Sequence, residues 1–83
     1  MSFTALILNP IHPGAATAER ELGALGEVRT YVTTPDSPGP EQVGRALSEG
    51  AGSLVVAGGD GTQRLVAGVL AGTGVPLGIL ATG

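Results

Sequence analysis

Five consecutive residues, Gly58-Gly59-Asp60-Gly61-Thr62, combine three glycines with one carboxylate and one hydroxyl. They follow one apolar run, Ser53-Leu54-Val55-Val56-Ala57, and shortly precede another, Leu65-Val66-Ala67 through Val69-Leu70. The pattern predicts a buried strand, a turn of nearly bare backbone and a helix. Glycines let the chain turn tightly and bring its N–H groups close to a ligand. A helix start adds free donors and the positive end of a dipole, so the place suits an anion, most often a phosphate. Asp60 is the oddity. A carboxylate repels phosphates unless it binds a divalent cation or accepts a proton from an attacking hydroxyl.

The rest of the chain supplies elements to hold this loop. Phe3-Thr4-Ala5-Leu6-Ile7-Leu8 is continuously apolar, as expected of a central parallel strand covered on both faces. Asn9-Pro10-Ile11-His12-Pro13-Gly14 breaks it. A helix is predicted over 15–25, with Ala18, Leu22 and Leu25 on one side and Glu19, Arg20 and Glu21 on the other; Gly26 takes the C′ position. Residues 27–33 predict a second strand with Val28, Thr30 and Val32 on one face. After a loop at 34–39, Pro40 can open a second helix, with Val43, Ala46 and Leu47 as its apolar stripe and Gly50 at its end. A third strand over 53–57, a third helix over about 61–71 and a fourth strand over 77–80 complete the series. Strict alternation implies right-handed crossovers and a parallel sheet: an α/β, doubly wound fold with helices on both faces. Ligands of such sheets sit beyond the carboxyl ends of the strands, where Asn9, Thr33 and Gly58 to Thr62 converge.

Composition narrows the chemistry. With 83 residues the chain is one small domain at most. Net charge is −3, the only side-chain cations are Arg20, Arg29, Arg45 and Arg64, and there is no lysine. That excludes the basic face needed for nucleic acid and the P-loop mechanism, whose lysine reaches the outer phosphates. The absence of cysteine excludes disulfides, thiolate catalysis and zinc–sulfur sites. Residues 1–8 lack the basic region of a signal peptide, and no run approaches the ~20 apolar residues of a membrane span. The expected location is cytoplasmic. Fifteen glycines and only two aromatics, Phe3 and Tyr31, point to a small-residue core with close helix–sheet contact.

The loop at 58–62 resembles the nucleotide-binding motif of the diacylglycerol kinase catalytic domain family. That family includes bacterial lipid kinases and sphingosine kinases and is more distantly similar to NAD kinases. Asn9-Pro10, with Gly14 close behind, resembles the family's Asn-Pro-x-x-Gly. Val75-Pro76-Leu77-Gly78-Ile79-Leu80-Ala81-Thr82-Gly83 resembles the strand leading into its second glycine-threonine motif. The three landmarks follow the family order along the whole chain. The resemblance implies an ATP-dependent kinase that uses Mg²⁺ and phosphorylates a lipid hydroxyl such as that of diacylglycerol. It also implies that residues 1–83 are the front part of a longer nucleotide-binding domain, because the family motif continues past Gly83 with Thr and then Asn. On that reading the acceptor-binding domain lies elsewhere, the segment alone is inactive, and the lipid is met peripherally at a membrane surface through other parts. An unpaired fourth strand could pair edge to edge in a homodimer. Two other functions fit the same residues: NAD kinase-like phosphorylation of a ribose hydroxyl, and a nucleotide-binding module without activity.

The resemblance also assigns residues. Asp60 lies at the phosphates, as a metal site or as a proton acceptor; a bland alternative is a turn aspartate capping the third helix. Gly58, Gly59 and Gly61 serve both the turn and the phosphate. Thr62 is an N-cap or first-turn residue, or a donor to a phosphate oxygen. Asn9 ties its own loop or contacts the nucleotide. Thr33 aligns with a nucleotide-contacting threonine, and Thr34 competes for the assignment. Arg64 and Ala81 depart from the family pattern. Arg64 opposes the helix dipole unless a phosphate relieves it, and otherwise is a surface residue. His12, without acidic or cysteine neighbours, is expected to face solvent.

Overall fold

The computed structural model describes residues 2–11, 13–24 and 26–80. The elements alternate: β1 (Phe3–Leu8), α1 (Ala15–Gly23), β2 (Val28–Val32), α2 (Pro40–Ser48), β3 (Ala51–Ala57), α3 (Asp60–Leu70) and β4 (Leu77–Ile79). All pairings are parallel, in the order β2-β1-β3-β4. The chain steps from β1 outward to β2, then crosses back over β1 to β3 and on to β4. With right-handed crossovers that reversal puts α1 on one face and α2 and α3 on the other.

The buried side chains divide accordingly. Ala5, Ile7, Leu54 and Val56 of the sheet pack with Val43, Ala46, Val66 and Leu70 of α2 and α3. Leu6, Leu8 and Ala57 pack with Ala15 and Ala18 of α1. Consecutive residues of β1 thus serve opposite faces, and all of its residues but Thr4 are buried. This is the physical reason its sequence is apolar without alternation. Ala15 and Ala18 are the buried residues of α1, with Leu22 packed beside them.

The doubly wound parallel architecture expected from the sequence is therefore present, with some shifts. α1 ends at Gly23 with Ala24 as its cap; Leu25 lies outside the described residues. β3 begins two residues earlier than predicted and α3 one earlier, at Asp60. Gly50 does follow the cap residue Glu49 in a left-handed conformation (φ 101°), the usual glycine stop. Val28, Thr30 and Val32 alternate onto one face of β2, and the opposite face carries its one buried residue. Tyr31 is enclosed beneath the α2 side, whereas Val32 is 48% exposed. β2 is an edge strand, and α1 reaches Val28 but not Val32. Ala81, Thr82 and Gly83 of the second glycine-threonine motif, and His12, lie outside the described residues. Among the described residues, no helix is long and apolar enough to cross a membrane.

Candidate functional site

The reversal of direction between β1 and β3 makes a switch point, where the loops leaving the two strands part and open a crevice. Register fixes what lies there. Leu8 pairs with Val32 on one side and Ala57 on the other, so the next residues, Thr33, Asn9 and Gly58, stand side by side at the carboxyl edge. Backbone bonds extend the ladder into them: Thr33 N donates to Leu8 O (2.8 Å) and Asn9 N to Ala57 O (3.0 Å). Two strand spacings separate Thr33 from Gly58, roughly 10 Å.

Two cavities flank the start of α3. One, of about 300 Å³, is lined by Asn9, Ile11, Thr33, Thr34, Pro38 and Thr62, among others. The other, of about 360 Å³, is lined by Asp60, Gln63, Arg64, Ala67 and Ile79. Thr62 therefore borders the β1–β2 side of the helix start, and Asp60 borders the β4 side.

The loop has a specific backbone character. Gly59 is the N-cap of α3, in an extended conformation (φ −77°, ψ −178°), and no side chain caps the helix. The N–H groups of Gly59, Asp60, Gly61 and Thr62 thus have no intrahelical acceptor. None of the three loop glycines has positive φ, so the turn itself does not require glycine, contrary to the sequence expectation. Gly58 is needed for space, since a Cβ there would lie 2.9 Å from Thr62 Cβ. Gly59 and Gly61 are not: a Cβ on either meets nothing within 4 Å. Glycine is a favoured N-cap where no side chain caps the helix, which accounts for Gly59; neither backbone strain nor internal packing accounts for Gly61.

Asp60 is the first residue of α3 and is exposed. Among the described residues its carboxylate has no hydrogen bond or ion pair. The helix dipole favours a carboxylate there by ~0.3–1 kcal/mol. No group of three metal-ligating side chains exists among the described residues. One carboxylate beside a helix start with free N–H groups nevertheless suits Mg²⁺ once phosphate oxygens are present, because Mg²⁺ takes one or two carboxylates together with phosphate oxygens and water. Arg64 is exposed and not paired with Asp60 among the described residues. As the fifth residue of α3 it sits beyond the first turn, so its conflict with the dipole is weaker than expected.

Asn9 accepts the Ile11 N–H on Oδ1 (3.2 Å), tying its own turn and leaving its amide donors directed elsewhere. Thr33 is 5% exposed and lines the first cavity. Thr34 also lines it, but its hydroxyl accepts the Ser37 N–H (3.0 Å). Thr62 is the third helical residue rather than the N-cap.

Two glutamines escaped sequence reasoning. Gln63 donates through Nε2 to Gly58 O (3.1 Å) and so braces the glycine loop. Gln42 donates through the same atom to Val32 O (3.1 Å) and Ser37 O (2.8 Å), across the loop that carries Thr33 and Thr34. A signal for Gln42 did exist. It falls beside Val43 and four residues before Ala46, on the buried stripe of α2, where a polar side chain requires partners.

Taken together, fold and loop define a doubly wound α/β domain with an uncapped, glycine-flanked helix start at its switch point. A family model of the diacylglycerol kinase catalytic domain matches residues 7–83, a span that includes the whole edge described above. The chain belongs to the diacylglycerol kinase catalytic domain family, whose activity is of the kinase type. A search of curated proteins gives no match.

Proposed function

We propose that this chain supplies the nucleotide-phosphate loop of an ATP-dependent lipid kinase, with a lipid hydroxyl such as that of diacylglycerol as acceptor. The observation that carries the proposal is the sterically unexplained glycine, Gly61, at an uncapped helix start beside a free carboxylate. Phosphoryl transfer depends on positioning and on neutralising charge more than on covalent chemistry. Here the N–H groups of residues 59–62 bind phosphate oxygens, and the dipole of α3 favours them. Asn9, Thr33 and Thr62 orient the nucleotide along the edge from the first cavity. Asp60 holds a Mg²⁺-bound phosphate group, directly or through water. Mg²⁺, when bound, supplies the positive charge that this lysine-free loop lacks. Arg64 lies where it can meet the outermost phosphate. The acceptor site belongs to parts of the protein outside residues 1–83, and association with lipid is peripheral.

The test is a phosphotransfer assay of the intact gene product with Mg-ATP and diacylglycerol in mixed micelles. Transfer to the lipid, abolished by Asp60→Asn with the fold intact, is the expected result. Unaltered turnover of the Asp60→Asn variant refutes the role of Asp60, and transfer to NAD in place of the lipid reassigns the acceptor.

A further inference from the structure

We propose that Gln42 is a positioning residue for the nucleotide cavity: its amide clamps the 33–38 loop in the shape that presents Thr33 to a ligand. This rests on the nucleotide reading of the site given above. The loop leaves β2 at Val32 and returns to α2 at Pro40. Besides the ladder bond from Thr33 N to Leu8 O, its restraints are few: Thr34 and Ser37 exchange two backbone hydrogen bonds (both 3.0 Å), the Thr34 hydroxyl also accepts from Ser37 N–H, and the Ser37 hydroxyl donates to the exposed Glu41 (2.8 Å). Gln42 spans both ends. One amide nitrogen reaches the last carbonyl of β2 and the carbonyl of Ser37, ten and five residues away in sequence. Thr33 and Thr34 are thus held between two carbonyls bound to the same group.

The other atom of that amide sharpens the inference. Gln42 is 4% exposed, and its Oε1 is buried without a partner among the described residues. An unpaired buried acceptor penalises the fold. A methionine of similar volume removes that penalty and, with it, the two hydrogen bonds to Val32 O and Ser37 O, so gain and loss largely offset. Global stability and loop order can therefore be read separately at this position. If the clamp is lost and the loop keeps its competent shape about a tenth of the time, apparent affinity falls about tenfold, because only the competent fraction binds.

The experiment compares wild-type and Gln42→Met intact gene product in three ways: thermal midpoint, residue-resolved amide exchange, and kinetics against Mg-ATP. The expected result is a midpoint close to that of wild type and unchanged protection at Ile7 and Val56. With these go faster exchange at Thr34 and Ser37, a KM for Mg-ATP raised about tenfold and kcat little altered. Loss of protection in β1 and β3 along with the loop makes Gln42 a structural residue and overturns the proposal. So does wild-type protection at Thr34 and Ser37 with an unchanged KM. Failure of the wild-type protein to bind Mg-ATP refutes the nucleotide reading instead, and amide exchange alone then decides the clamp.

Discussion

Replacing Gly61 with alanine should strengthen the fold and weaken the ligand site. Gly61 lies in the first turn of α3, and a methyl group on its Cα would meet no atom within 4 Å. Alanine there is favoured over glycine by roughly 0.5–1 kcal/mol. Gly59 is different: it is the N-cap, where glycine is preferred to alanine, so alanine there costs about 0.5–1 kcal/mol although its φ of −77° is open to any residue. In a domain of this size the Gly61 gain raises Tm by roughly 2–8 °C. The same methyl groups occupy the space assigned to phosphate. Forcing an extra methyl against a packed group costs ~1–3 kcal/mol, or about 5- to 150-fold in affinity. Gly58→Ala behaves oppositely. Its Cβ would lie 2.9 Å from Thr62 Cβ, so stability should fall by ~1–3 kcal/mol. Thermal melts with calorimetric titration of Mg-ATP measure both quantities on each variant. If Gly61→Ala melts lower than wild type, the steric reasoning is wrong. If it melts higher yet binds Mg-ATP equally well, the bare backbone is not there for phosphate.

Other outcomes follow from individual contacts. Burial, and then the hydrogen bond to the Glu49 carboxylate, raise the Tyr31 hydroxyl above its ordinary 10.0. The unfolded chain then loses that proton first, so the stability Tyr31 contributes is complete below about pH 10 and is lost as pH rises through the folded value. With no lysine and a single tyrosine in the chain, the fall in urea midpoint above pH 10 should vanish in Tyr31→Phe. Thr33→Val should lower Mg-ATP affinity about fivefold, the worth of one hydrogen bond, with little change in Tm. Thr34→Val should instead destabilise the loop through Ser37; the reverse pattern in titration and melting would transfer the ligand role to Thr34. Arg64→Ala should change stability by less than about 0.5 kcal/mol, and its effect on Mg-ATP affinity should shrink as salt is added.

The layered fold was legible because each strand and helix carries its own signal. β1 is a closed apolar block, and the helices show spaced small residues between glycine and proline stops. The loop at 58–62 was legible because its residue types are unusual together. Three things were not. Strand order depends on which way each crossover turns, and nothing local to β2 or β3 records that. Which face of β2 is buried depends on how far the flanking helices reach, and alternation alone does not say; Tyr31 is the residue they enclose. The bracing by Gln42 and Gln63 arises from carbonyls made neighbours only by folding. The glycines offer the reverse lesson. In sequence they looked like turn residues, yet their backbone angles are ordinary, and only the folded chain separates Gly58, which needs space for Thr62, from Gly59 and Gly61, which do not.

Amide chemical shifts of the intact gene product, followed while Mg-ATP is added, probe the phosphate cradle most directly. Saturable shifts of Gly59, Asp60, Gly61 and Thr62, joined by Asn9 and Thr33 across the edge, are the predicted result. Unmoved amides at 59–62 under saturating nucleotide, or shifts gathered at the opposite crevice around Glu27 and Ser53, would contradict it.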